Sequence, residues 1–209
     1  MIDILLIAFA MSLLYMSIAN RLVTYLNILG FQGFLLFGVT YLSLNQVSPV
    51  NLIFIMLETI VVKAIAVPWF INHILKRNNI TRDTEPFLPN FVSIIIVTLI
   101  IVATIILASY IKDQNLDKTY FVVALSTLFT GLYLIVSRKK IISHVIGYLV
   151  IENGVFILSM AVGNEMPMLV NLGIMLDIFA SVLILGIFFN RIGDFLKDPD
   201  VNSLRNLKD

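Results

Sequence analysis

Long apolar runs recur along the chain from Met1 almost to Arg191, and short polar stretches separate them. A helix needs about 20 apolar residues to cross the hydrocarbon core of a bilayer. The runs therefore predict seven transmembrane spans, near residues 3–19, 24–44, 52–73, 91–111, 119–136, 141–162 and 168–190. The first two spans are joined through Asn20 and Arg21 with little room for a loop, so a single bent or re-entrant element is an alternative there. We predict an all-α, polytopic membrane protein.

The basic residues of the loops predict its orientation, because lysine and arginine favour the cytoplasmic side. Successive loops fall on alternate sides of the membrane, and most basic residues lie in one of these two sets of loops. The other set holds only Lys112 and Lys118, beside Asp113 and Asp117. We therefore expect the N-terminus outside and the C-terminus in the cytoplasm, an alternation that an even number of helices would break. The basic residues of the set predicted to be cytoplasmic are Arg21, Lys76, Arg77, Arg82, Arg138, Lys139, Lys140, Arg191, Lys197, Arg205 and Lys208.

The composition of the chain excludes several classes of function. Hydrophobic residues make up 59% of the chain and charged residues 13%, against roughly 25% charged in a soluble domain. The absence of cysteine excludes disulfides and iron–sulfur ligation by this chain, so any redox cofactor must sit on a partner. A net charge of +1, with aromatic residues confined to apolar runs, argues against nucleic-acid binding. The sequence contains no phosphate-binding glycine loop, no G-x-S-x-G motif and no H-E-x-x-H motif, so no hydrolase or ATPase chemistry is visible.

Four ionisable residues fall within the predicted spans: Glu58, Lys63, Glu152 and Asp177. An ionised side chain at the bilayer centre costs about 2.5–3.5 kcal/mol on insertion scales, so such residues are usually functional or paired. On an α-helix Glu58 and Lys63 are about 140° apart, which predicts that each meets a charge or carbonyl on another helix. A pairing that only locks helices together is the alternative for these two. Pro68 follows and frees a backbone carbonyl near Ala64.

The sixth span places His144, Tyr148 and Glu152 on one face, at intervals of four residues. A buried carboxyl and a histidine can both exchange protons near neutral pH, so the face predicts a proton half-channel. The alternative is that Glu152 is a hydrogen-bonded packing residue and His144 an anchor at the interface.

The last span places Gly173, Asp177 and Ser181 on another face. A hairpin through the turn at 163–167 would bring Glu152 and Asp177 to similar depth, where intervening water would complete a relay. Packing alone explains the small residues around them, including Gly147 and Gly154 in the sixth span, equally well.

Several segments together resemble component E of hydrogenase-4, a family of complex I-like membrane-bound hydrogenases that includes formate hydrogenlyase. They are the stretch 58–64 with its following proline, GYLVIENG at 147–154, Leu176-Asp177 and the closing stretch 203–209. The last three helices, 119–192, are also similar to the small three-helix K subunit of complex I, which carries two intramembrane glutamates. Its first glutamate corresponds to Leu149 here, with Glu152 three residues later, and its second to Asp177.

The resemblance divides the chain into helices 1–3 (1–78), a cytoplasmic loop with helix 4 (79–118), the K-like unit (119–192) and a cytoplasmic tail (193–209). It implies a subunit of an oxidoreductase complex in a prokaryotic inner membrane, with no redox centre of its own. The nickel–iron centre and iron–sulfur clusters would sit on partners in the peripheral arm. Antiporter-like subunits and a quinone-site-like subunit would be its membrane partners. Glu152, Asp177, Lys63, Glu58 and His144 would contribute to a proton or sodium pathway.

Three other functions fit parts of the pattern. A small subunit of a multisubunit cation/proton antiporter would share the carboxyls, although the four N-terminal helices fit the hydrogenase family better. A stand-alone transporter would be expected to show an inverted repeat or broken helices, and neither is visible. A structural scaffold would leave Glu152 and Asp177 replaceable.

Overall fold

The computed structural model describes residues 1–43, 53, 56–77, 86–112 and 116–161. The seventh predicted span near 168–190, with Asp177, and the tail lie outside the described residues. The described part is all-helical, as predicted. Its elements are α1 (Ile2–Ile18), α2 (Leu22–Ser43), a π-helix (Glu58–Ala66) that continues as α3 (Val67–Arg77), α4 (Asn90–Tyr110), α5 (Lys118–Ser137) and α6 (Ile141–Ala161).

Among the described residues, four helices are long and apolar enough to cross a membrane: α2, α4, α5 and the segment Ile142–Ala161 of α6. Two shorter apolar helices, Ile2–Ile18 and Thr59–His73, lie at the first and third predicted spans. Six predicted spans thus coincide with observed helices, and the third runs further than predicted, to Arg77. The length of the apolar runs was sufficient to locate them.

A true break separates α1 from α2. Ala19 adopts an extended conformation, with φ −67° and ψ 132°, and Arg21 begins the next helix by accepting a 3.0 Å bond from the N–H of Thr24. The two helices then pack against each other. A single bent helix is therefore wrong for this region, and the structure shows a tight hairpin.

The helix α4 carries hydroxyl side chains on the side that packs against other helices and large apolar side chains on its exposed side. Its buried positions include Ser93 and Thr104: the hydroxyl of Tyr133 donates to Ser93 Oγ at 2.7 Å, and Thr104 Oγ1 lies 2.7 Å from Ser126 Oγ. Polar groups turn inward because the bilayer core offers them no hydrogen bonds. Its outer face is mainly apolar and exposes Phe91, Ile95, Leu99 and Tyr110. Thr98 and Ser109 are also exposed, and their hydroxyl groups donate to carbonyls of their own helix.

Glycines let α5 and α6 pack closely. A Cβ atom at Gly131 would lie 2.7 Å from the carbonyl oxygen of Gly147, and one at Gly154 would lie 3.0 Å from the backbone nitrogen of Leu128. Small residues at such positions bring helix backbones together in membranes. The predicted role of Gly147 and Gly154 in close packing is confirmed, with α5 as the partner.

The helix ends meet in two groups. At one end of the bundle, Arg138 donates to the carbonyl oxygen of Ser17 at 2.7 Å. The backbone N–H of Phe87 donates to the carbonyl oxygen of Ser137 at 2.9 Å. At the other end, the N–H of Asp117 donates to the carbonyl of Ala161 at 2.9 Å. The described helices joined by these contacts therefore alternate in direction, as the charge pattern requires. Which end faces the cytoplasm stays a prediction.

The π-helix packs against α2 through two glycines. A Cβ atom at Gly33 would lie 2.7 Å from both the nitrogen and the Cα of Ala64, and one at Gly30 would lie 3.1 Å from the Ala64 oxygen. Backbone therefore contacts backbone here, with no room for a side chain.

We expect Gly33→Ala to lower the free energy of unfolding by about 1–3 kcal/mol, because the added methyl group must push the Ala64 backbone away. The control is Gly38→Ala on the same helix, whose methyl group would meet only the flexible end of Leu5, at 3.1 Å. Unfolding of both variants in mixed micelles measures the difference. Equal stabilities would show that the Gly33 contact does not constrain the fold.

Candidate functional site

Lys63 is buried at the middle of the bundle. Its side chain is 6% exposed, and its Nζ lies 4.7 Å from the centroid of the Phe156 ring on α6. An ammonium over an aromatic face is stabilised by the ring quadrupole. Phe156 follows Glu152, which is 7% exposed, by one turn of α6. The structure thus places Lys63 against α6 one turn from Glu152. The predicted contact of Lys63 with a charge or carbonyl on another helix stays a prediction.

The segment Glu58–Ala66 is a π-helix, so the α-helical angle between Glu58 and Lys63 does not apply. Hydrogen bonds in a π-helix join residues five apart, as the N–H of Val67 shows by donating to the carbonyl of Val62. Because a π-helix has more residues per turn than an α-helix, positions 58 and 63 are closer together around the helix axis than α-helical geometry implies. The expectation that they are about 140° apart is wrong for this reason. The side chain of Glu58 lies outside the described residues.

A proline, Pro68, stands two residues after the end of this segment. Pro68 has no N–H, so it donates no hydrogen bond to the carbonyl of Ala64 four residues before it. The Ala64 oxygen instead points toward α2, where a Cβ atom at Gly30 would lie 3.1 Å from it. Single π turns recur at functional sites within helices, and here a buried lysine lies within a π-helical segment of nine residues.

A chain of buried polar side chains crosses three helices beside Glu152. Asn153 Nδ2 donates to Gln32 Oε1 at 3.2 Å, Gln32 Nε2 donates to Ser12 Oγ at 2.9 Å, and Ser12 donates to the carbonyl of Phe9 at 2.6 Å. Gln32 is 0% exposed. Sequence analysis missed this network because it weighed only ionisable residues. The signal in the sequence was the position of two amide side chains, Gln32 and Asn153, within apolar runs.

His144 lies near the start of α6 and is half-buried. Its Nε2 is 3.0 Å from the carbonyl oxygen of Arg138, which ties the ring to the α5–α6 connection. Tyr148, also half-buried, follows one turn later, and Glu152 one turn after that. The three share a helix face, as expected, and their action as a half-channel stays a prediction.

Arg138 and Lys140 are buried, with each side chain 1% exposed, although sequence analysis treated them only as loop charges. The Arg138 guanidinium donates to the carbonyl of Ser17 in the last turn of α1, and its Cζ lies 5.7 Å from the centroid of the Tyr25 ring. Carbonyls in the last turn of a helix lack intrahelical partners and carry a partial negative charge. Arg138 therefore caps α1, which explains its burial.

The fold and the site together define an all-helical membrane protein with a buried lysine and a buried carboxyl in one region. Among known proteins, the chain is similar to the uncharacterized protein Rv0085 of Mycobacterium tuberculosis, with 23% identity over 186 residues. That match covers 88% of this chain and 84% of the relative.

The chain is also similar to hydrogenase-4 component E of Escherichia coli K12 and of Shigella flexneri, with 32% identity over 91 residues. This match covers 44% of this chain and 42% of those proteins, so the chain aligns with less than half of their length. No family model and no solved structure matches the chain. The resemblance to hydrogenase-4 component E is supported over that part.

We expect Arg138→Met to lower the free energy of unfolding by about 1.5–3 kcal/mol, because it removes a charge-assisted hydrogen bond and uncaps α1. Lys139→Met is the matched control. Lys139 is half-exposed, and its Nζ lies 5.4 Å from the Phe87 ring, a contact worth about 0.5–1 kcal/mol. Thermal unfolding of both variants in detergent measures the effect, and a loss no larger for Arg138→Met than for Lys139→Met would contradict it.

Proposed function

We propose that this chain is a membrane-arm subunit of a complex I-like membrane-bound hydrogenase, in which Glu152 and Lys63 belong to a proton or sodium-ion pathway. The observation that carries the proposal is the position of Lys63 against Phe156, one turn from Glu152. The partial similarity to hydrogenase-4 component E supports the class of complex. A small subunit of a cation/proton antiporter would share the carboxyl, and the hydrogenase relative favours the redox complex over it.

The chemistry depends on two opposite charges in a region of low dielectric. A carboxyl excluded from water can hold or release a proton according to the charges around it. The positive charge of Lys63 would act on Glu152 where the two approach each other, so movement of Lys63 relative to Glu152 would change how readily Glu152 exchanges its proton. A redox event elsewhere in the complex could therefore drive ion movement through a small displacement of one helix.

Partners would supply the redox chemistry. The chain has no cysteine with which to hold an iron–sulfur cluster or a nickel–iron centre, so we assign these groups to a peripheral arm. Antiporter-like subunits and a quinone-site-like subunit would be the neighbours within the prokaryotic inner membrane. Asp177, Glu58 and His144 remain candidates for the same pathway.

We expect Glu152→Gln to lower ion translocation about ten-fold or more, because glutamine keeps the shape but cannot exchange the proton. The measurement is proton or sodium uptake by inverted membrane vesicles during turnover of the complex. Electron transfer to an artificial acceptor and the abundance of the complex should stay close to wild type.

Thr127→Val serves as a control for the loss of a buried polar group near this depth. The Thr127 hydroxyl donates to the carbonyl of Val123 within its own helix, so its removal should leave translocation unchanged. Wild-type translocation in Glu152→Gln would remove Glu152 from the pathway.

A further inference from the structure

Neighbouring residues of α2 hold the two halves of the site. Gly33 contacts the backbone of Ala64, the residue after Lys63. Gln32 accepts a hydrogen bond from Asn153, the residue after Glu152. The positions of the lysine and the carboxyl are therefore both set by contacts to one turn of α2.

The hydrogen bonds around Gln32 run in one direction, from α6 through α2 to α1. Asn153 donates to Gln32, Gln32 donates to Ser12, and Ser12 donates to the backbone of α1. None of these three side chains titrates, so their hydrogen bonds serve to hold the geometry of the three helices. All three are buried, and breaking the chain would strand amide groups where the bilayer supplies no replacement.

Rotation of α6 is the motion that this network opposes. Successive residues of an α-helix are about 100° apart, so Asn153 and Glu152 point to adjacent sides of α6. Asn153 faces α2, while Phe156, about 40° from Glu152 and about 60° from Asn153 around the helix axis, meets Lys63. A rotation that pulls Asn153 from Gln32 therefore also shifts Glu152 and Phe156 relative to Lys63.

We propose that Gln32 is a positioning residue that sets the orientation of α6 and so keeps Phe156, one turn from Glu152, against Lys63. The inference rests on the proposed function for the importance of that geometry, but the geometry can be measured without ion translocation. The readout is the contact between Lys63 and the Phe156 ring.

The experiment places 4-fluorophenylalanine at position 156 of the full chain in lipid nanodiscs and records the ¹⁹F resonance. Lys63→Met defines the resonance of the ring without its ammonium. We expect Gln32→Met, which keeps the length but not the hydrogen bonds, to move the resonance at least halfway to that value. Thr40→Val is the control, because Thr40 is equally buried on α2 and donates only to Leu36 of its own helix; its resonance should stay at the wild-type position.

Gln32→Asn provides a second, milder test in case Gln32→Met does not fold. It shortens the side chain that bridges Asn153 and Ser12 by one methylene group and should also move the resonance. An unmoved resonance in folded Gln32→Met or Gln32→Asn would overturn the proposal. Wild-type translocation in Glu152→Gln would instead overturn the proposed function and leave this geometric result standing.

Discussion

The close approach of Gly33 to the backbone of Ala64 is the contact on which the rest of the site depends. Because a methyl group at Gly33 would lie 2.7 Å from backbone atoms of Ala64, the π-helix can reach α2 only where a side chain is missing. That approach places Lys63, one residue earlier, at the centre of the described helices. Gln32 then connects the same turn of α2 to Asn153 on α6. Helix association in lipid relies on such packing and hydrogen bonding, since burial of apolar surface gives little driving force there.

The same constraint explains the distribution of polar groups. Hydroxyl groups within the helices bond to carbonyls of their own helix, as Thr40 and Thr127 do, or to a neighbouring helix, as Thr104 does. Lys63 and Glu152 differ from these hydroxyl groups, because an ionised side chain inside a membrane is costly unless it is paired. Burial of both in one region is therefore a costly arrangement, which favours a functional role over a packing role.

Much of the fold could be predicted because apolar run length reports directly on helices that cross lipid. Lys63 and Glu152 were identified for the same reason, since a charge in such a run stands out. The π-helix was not predicted, because the spacing of Glu58 and Lys63 was interpreted with α-helical geometry. The Gln32–Asn153 bond joins residues 121 positions apart, and uncharged amides hardly disturb a hydropathy pattern. Arg138 is buried because it donates to the carbonyl of Ser17 at the end of α1. The residues around Arg138 in the sequence give no sign of this distant contact.

The most direct test of the account is the composition of the native complex. The chain would be extracted from native membranes in mild detergent, purified through a tag on its C-terminal tail, and its co-purifying chains identified by mass spectrometry. The account predicts a nickel–iron hydrogenase subunit together with iron–sulfur proteins and antiporter-like membrane subunits. Recovery of antiporter-like chains without redox subunits, or of this chain alone, would contradict it.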